Sequence, residues 1–384
     1  MIKKITSGVL ALLCMGVPLT NDLCSAYTSK INDQICEEKE NNNKKEKGKS
    51  SLGKKILWGF GGAILGLGTA WGLGRYFSNK VNEPFIEQAL PNDDKTTEKL
   101  VATFEHTYKK IGELGIDLNE SEIFALRNGM GSELGDTIID LPRSNKGGNK
   151  CEFVVESGRS FAVVRRLIDC GFIRSNDRIA VLNFANYYKP GGGVKRGCRA
   201  QEESLCRVST LYAHLEKLWT PFYSVNQKVR NVEKNSLGGD RGIYTKGVVQ
   251  LKEDTSLPGL EFIPEGQRLI VDVLTVAAPD LRRENELKND PQRVRAMMIN
   301  RIKLTVAMAI KNKVDTLVLG ALGCGAFGVD PEICADSYYE VLVKEGYASY
   351  FKKIVFPILV VEGFKNDKNN YRVFAERFHG LTVK

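Results

Sequence analysis

Two stretches of the chain combine glycine with residues able to handle protons or anions. The first, NFANYYKPGGGVKRGCRAQEESL at 183–205, places Gly191, Gly192 and Gly193 after a proline. Seven residues then separate Gly193 from Gln201, Glu202 and Glu203. The second, GCGAFG, comprises Gly323, Cys324, Gly325, Ala326, Phe327 and Gly328. Backbone without Cβ can approach a phosphate closely, and a following helix offers free N–H groups and the positive end of its dipole. Two such loops together suggest a clamp around a diphosphate. A carboxylic acid can give a proton to a leaving oxygen and later take one from water. Adjacent residues on a helix project about 100° apart, so Glu202 and Glu203 should play unequal parts. Each feature alone has a plainer reading, as an acidic helix start or a tight turn. That reading is less credible for all of them together.

These residues need a scaffold. From Thr96 onward, apolar runs at 178–186, 268–279, 314–322 and 353–362 read as buried strands, with weaker candidates at 151–156 and 244–251. Between them, helical spacing appears at 96–115 (with Gly115 near its end), 157–171, 201–219, 291–312 and 331–346. Strands apolar throughout, alternating with helices, predict an α/β domain whose sheet is covered on both faces. The expectation is a mixed, largely parallel sheet of about six strands flanked by helices. Ligands on such sheets bind beyond the carboxyl ends of the strands. Both glycine loops follow strands there. GCGAFG also fits the dinucleotide-binding pattern GxGxxG, but no acid ends a strand about twenty residues later. Glu345, the nearest, ends a helical pattern. There is no GxSxG, and Cys324 has no evident base, so it reads as a small loop residue rather than a nucleophile.

The glycine triplet with Gln-Glu-Glu resembles the signature of poly(ADP-ribose) glycohydrolases. LGALGCGAFGVDP resembles the phosphate loop of the microbial branch of that family, and VLTVAAP lies between the two where that branch has a similar strand. The resemblance covers about Thr96 to the C-terminus and implies a macrodomain fold over 90–384 that binds ADP-ribose without a cofactor or metal. It implies that Gly191–Gly193 and Gln201–Glu203 embrace the ribose being cleaved, and that Gly323–Gly328 hold the diphosphate, with Phe327 packing on a ribose. Asn183 and Asn186 take the asparagine positions, Asn186 contacting ribose. Glu203 would be the catalytic acid/base, Glu202 would fix the ribose hydroxyls, and Gln201 would support the loop. Tyr244 is a candidate for stacking on adenine. The implied activity is hydrolysis of ribose–ribose O-glycosidic bonds in poly(ADP-ribose). The alternatives are removal of single ADP-ribose units from modified protein or nucleic acid, and a non-catalytic reader.

The N-terminal part differs in kind. Residues 1–26 carry Lys3 and Lys4, an apolar run and small residues at Ser25 and Ala26, the layout of a signal peptide. Residues 27–55 form a polar Lys/Glu/Asn-rich linker. The stretch 56–74 runs 19 residues without a charge, long enough to cross a bilayer. It has Gly62/Gly66 and Gly68/Gly72 at helix-packing spacing and Trp58 and Trp71 near its ends. We therefore read 56–76 as a membrane helix and the protein as secreted or membrane-anchored, with an N-terminal helical extension before the catalytic domain. The lysines before residue 56 favour a cytoplasmic N-terminal side, whereas a cleaved signal peptide favours the opposite. The formal net charge of +9 suits an anionic partner, although the basic residues are dispersed. The nine cysteines show no CxxC pair, and with three histidines they form no zinc-like cluster. Oligomeric state is not legible.

Overall fold

The computed structural model describes residues 83–383, apart from 119, 132, 133, 135, 145, 146 and 234–236. The segments assigned to signal peptide, linker and membrane helix (1–26, 27–55 and 56–76) lie outside the described residues. Among the described residues, no helix is long and apolar enough to cross a membrane.

The chain order is α1 (Asp94–Leu114), β1 (Ser121–Leu126), β2 (Thr137–Ile139), β3 (Cys151–Ser157), α2 (Ser160–Asp169) and β4 (Ile179–Phe184), then α3 (Gln201–Val208), α4 (Leu211–Lys217), α5 (Val225–Glu233), β5 (Arg241–Val249) and β6 (Ile270–Val276). The C-terminal part holds α6 (Asn285–Lys288), α7 (Pro291–Lys311), β7 (Thr316–Val318), α8 (Pro331–Tyr339), β8 (Lys353–Ile358), α9 (Lys365–Phe378) and β9 (Thr382–Val383). Local chemistry explains the long helices. Asp93 caps α1 by accepting from Thr96 N at 2.7 Å, and Gly115 closes it in the left-handed region. Asp290 and Asp330 likewise cap α7 and α8, each followed by a proline in the first turn.

The described residues form one sheet of nine strands, ordered β2-β1-β5-β6-β4-β7-β8-β3-β9. The six-strand expectation is thus too small. The run β6-β4-β7-β8-β3 is parallel, while β5 pairs antiparallel with both β1 and β6, and β9 antiparallel with β3. The added strands lie at the two margins of the sheet, β9 as one edge, and β2 as the other with β1 inside it. Alternate residues of the central strands serve opposite faces. In β4, Ala180 and Leu182 join the core under α7, α8 and α9, whereas Ile179 and Val181 join the core under α1 to α4. That two-sided burial is why these strands read as continuous apolar runs.

Two further departures are local. The helical pattern over 201–219 is broken at Ser209, whose extended backbone bridges to Gln250, so α3 and α4 are separate short helices. The C-terminal helix α9 has no counterpart in the sequence reading; it buries Tyr371, Phe374 and Phe378.

Candidate active site

The parallel strands β4, β6, β7 and β8 end at one edge of the sheet, and both glycine loops leave from it. Asn183 is fully buried near the end of β4. Just beyond, the Asn186 side chain accepts from Tyr188 N at 2.9 Å and Lys189 N at 3.0 Å, turning the chain. Gly191 and Gly192 have φ of +65° and +56°. Gly193 leads into a single 3₁₀ turn over Val194–Arg196, and α3 starts at Gln201.

Gln201 ties the start of α3 to the end of β4. Its amide oxygen accepts from Phe184 N at 2.9 Å, and its nitrogen donates to Leu182 O at 2.7 Å and Ser160 Oγ at 3.2 Å. The next two residues then face the loop. Glu202 accepts from Asn186 N through Oε2 at 2.7 Å and from Asn183 Nδ2 through Oε1 at 3.4 Å. Glu203 accepts from Gly193 N through Oε1 at 2.8 Å, and its other oxygen takes no protein donor among the described residues. The bare backbone expected to face a ligand lies first against the carboxylates. A Cβ on Gly192 would sit 2.4 Å from Glu203 Oε1 and 3.1 Å from Glu202 Oε2.

The two carboxylates differ as expected for neighbours on a helix. Glu202 is 2 % exposed and Glu203 8 %. Burial, and after it the charge of Glu203, hold Glu202 well above the usual carboxylate range, against the opposing effect of its hydrogen bonds from Asn186, Asn183 and Gly191. Glu202 therefore favours its neutral form, which can donate a hydrogen bond to a hydroxyl. Arg207, one turn beyond Glu203, is buried, and burial lowers its pKa to about 10 while Glu203 supplies the largest opposing charge. Its Nη2 donates to Cys198 O at 2.5 Å, holding the segment before α3.

The second loop follows β7, which pairs in parallel with β4, so the two loops are neighbours as anticipated. The strand ends below them pack together, since a Cβ on Gly320, just after β7, would lie 2.6 Å from the ring of Phe184 at the end of β4. The loop is closed by Val329 N donating to Gly323 O at 3.0 Å and Gly328 N to Gly325 O at 3.2 Å. Gly325, Ala326 and Gly328 are exposed, and Phe327 is half-buried. The Arg282 guanidinium stands over the Phe327 ring at 5.1 Å. Cys324 points away from the exposed loop. It is buried and lies with Cys334 near Leu322 O, at 3.8 and 3.4 Å, so only its backbone can meet a ligand.

Tyr244 does not stack on adenine. It is 1 % exposed in β5, and its hydroxyl donates to Asp272 Oδ2 at 2.5 Å near the start of β6, opposite the edge of the glycine loops. Three supporting groups escaped the sequence reading. Thr275 accepts from Asn183 Nδ2 at 3.3 Å, Ser204 bonds Asp254 at 2.9 Å, and Tyr212 packs on Gly191. All depend on contacts distant in sequence and carry no local signal.

Residues 106–253 match the family described as microbial-type PARG, catalytic domain. The matched segment spans less than half of the chain and contains the first glycine loop and both glutamates; the loop 323–328 lies beyond it in sequence and joins the site through the sheet. No curated protein matches the chain. Among solved structures, poly(ADP-ribose) glycohydrolase from Thermomonospora curvata is 24 % identical with a TM-score of 0.59, covering 74 % of this chain and 100 % of that one. The same enzyme bound to the inhibitor ADP-HPD gives 24 % and 0.57, with the same coverage. The Deinococcus radiodurans enzyme in complex with ADP-ribose gives 25 % and 0.53, covering 75 % of this chain and 97 % of that one. The PARG fold therefore extends well past the matched segment.

Proposed function

We propose that this protein hydrolyses ribose–ribose O-glycosidic bonds of poly(ADP-ribose) and releases ADP-ribose. The observation that carries the reading is the arrangement of the two carboxylates. Glu202 is saturated by protein donors and buried, whereas Glu203 is held through one oxygen by Gly193 N and keeps the other for a substrate. Glu203 gives a proton to the leaving ribose oxygen as the C1–O bond breaks and the ribose takes on oxocarbenium character. The resulting carboxylate then takes a proton from the attacking water as the new C1–O bond forms, restoring the acid. Glu202, held beside it by Asn183 and Asn186, orients the ribose next to Glu203. The exposed backbone of Gly325 to Gly328 receives the diphosphate, and Phe327 packs against a ribose.

The test is release of ADP-ribose from polymer by the full chain. Glu203→Gln should lower kcat by at least about 100-fold while ADP-ribose binding, followed by calorimetry, persists. Full release by that variant, or none by the wild type, would overturn the reading. Equal action on singly modified proteins would instead favour the single-unit hydrolase.

We also propose that the enzyme is secreted or membrane-anchored, with residues 56–76 as the anchor; the uncharged 19-residue run supports this. The full chain should sediment with membranes and be released by detergent, not by salt. Recovery in the soluble fraction would end the membrane anchor, and recovery there from inside the cell would end secretion as well.

A further inference from the structure

The helix that presents both glutamates has only eight residues, and its N-cap, Ala200, makes no side-chain cap bond. Gln201 holds it from the β4 side. The other side is held from outside the matched PARG segment, which begins at residue 106.

Residues 83–93 form an arm that runs past the carboxyl end of the sheet. Phe85 N donates to Ser157 Oγ at 2.6 Å, at the end of β3. Glu87 pairs with the segment after β8, with Glu87 N donating to Val360 O and Glu362 N to Glu87 O, both at 2.8 Å. The Glu87 carboxylate then meets Arg159 in a two-point ion pair, Nε to Oε2 at 3.0 Å and Nη2 to Oε1 at 2.8 Å. The third guanidinium nitrogen of Arg159 donates to Ser204 Oγ at 2.9 Å. Ser204, the residue after Glu203, donates in turn from its hydroxyl to Asp254 Oδ1 at 2.9 Å, and Asp254 Oδ2 accepts from Phe161 N at 3.1 Å. Ser204 and Asp254 are both buried. A second link lies just before the helix, where Arg199 donates to Leu90 O at 3.2 Å and Pro91 O at 2.7 Å.

We propose that the arm 83–93 is a strap that sets the pose of Glu203, with Glu87 and Arg159 as positioning residues acting through Ser204. This rests on the glycohydrolase reading above. The physical reason is geometric. A short helix without a side-chain cap can tilt about its first turn, and a general acid loses much of its effect when displaced by about 1 Å. The fork of Arg159 fixes that turn because its planar donors match Glu87 at two points while the third reaches Ser204.

The test uses the full chain with Glu87→Gln and Glu87→Asp. Glu87→Gln should lower kcat on polymer about tenfold with KM and ADP-ribose affinity within about twofold, because the strap touches no substrate. Glu87→Asp, which keeps the charge, should recover part of the loss. Backbone amides of 201–208 should exchange hydrogen faster in Glu87→Gln than in wild type. Unchanged kcat and unchanged exchange in Glu87→Gln would overturn the strap. So would a parallel fall in kcat, ADP-ribose affinity and melting temperature, which would mark a general structural role. If the wild type releases nothing from polymer, the functional reading fails by itself, and the exchange comparison still decides the strap.

Discussion

Gly192 has no room for a side chain, and what fills the space is the pair of carboxylates. Its backbone faces both carboxylates, with the nearest oxygen 2.4 Å from where a Cβ would stand, so the triplet packs Glu202 and Glu203 against bare peptide. Burial, and after it the charge of Glu203, makes Glu202 costly to ionise. The pH dependence follows in sign. Below the ordinary value of 4.5, Glu202 is neutral both folded and unfolded. As pH rises from there through its elevated folded value, the unfolded chain gives up the proton first, and stability is lost. Glu202→Gln should remove that loss. Its melting temperature relative to wild type should be unchanged in acid and grow as pH rises through the window, in thermal melts from about pH 4 to about pH 9. A difference that does not vary with pH would show that Glu202 does not titrate there.

The second loop shows how one element divides its glycines between shape and ligand. Gly323 is left-handed at φ +82°, and a Cβ there would lie 2.7 Å from Ala278 Cβ. Gly325 is exposed, has no positive φ and would meet nothing within 4 Å. Gly323→Ala should therefore cost about 1–3 kcal/mol of stability, read as a lowered melting temperature. Gly325→Ala should leave the melting temperature unchanged and weaken ADP-ribose binding about tenfold, about 1.4 kcal/mol, because a methyl group would keep a phosphate from the backbone. Strong binding by Gly325→Ala would remove the loop from the diphosphate site. The first loop is built by the same logic, its turns set by Gly191 and Gly192 and its distance from the sheet by Gln201.

Across the whole molecule, a two-sided core holds the parallel strands in register, and their common carboxyl edge collects residues as far apart as Asn183 and Gly325. The arm crosses the same edge. Only residues 77–82 separate it from the segment 56–76 proposed as the anchor, a span of at most about 25 Å when fully extended. An anchored chain would carry the domain directly after that tether. Protease protection of sealed vesicles should then place the whole domain on one side. Full cleavage with the vesicles intact would set it outside, and full protection inside. Partial cleavage of the domain core under both conditions would contradict an anchored folded domain.

Much of this was readable from residue order. Period and apolar runs determined the α/β class, the central strands and most long helices, because burial on both faces writes itself into consecutive side chains. The glycine triplet, Gln201 to Glu203 and the loop 323–328 were likewise visible, since short local motifs carry their own spacing. The marginal strands β1, β2 and β9 were not, because pieces of two to six residues are defined by partners and not by their own composition. Tyr244 was misplaced because its register with Leu274, unseen in sequence, buries it. Tertiary structure alone decided that the glycines close on the carboxylates, that Glu202 is the saturated member of the pair, and that Glu87 reaches the catalytic helix through Arg159 and Ser204. Each of those depends on contacts between residues distant in the chain, and pairwise distance is the one quantity that a linear pattern of residue types does not contain.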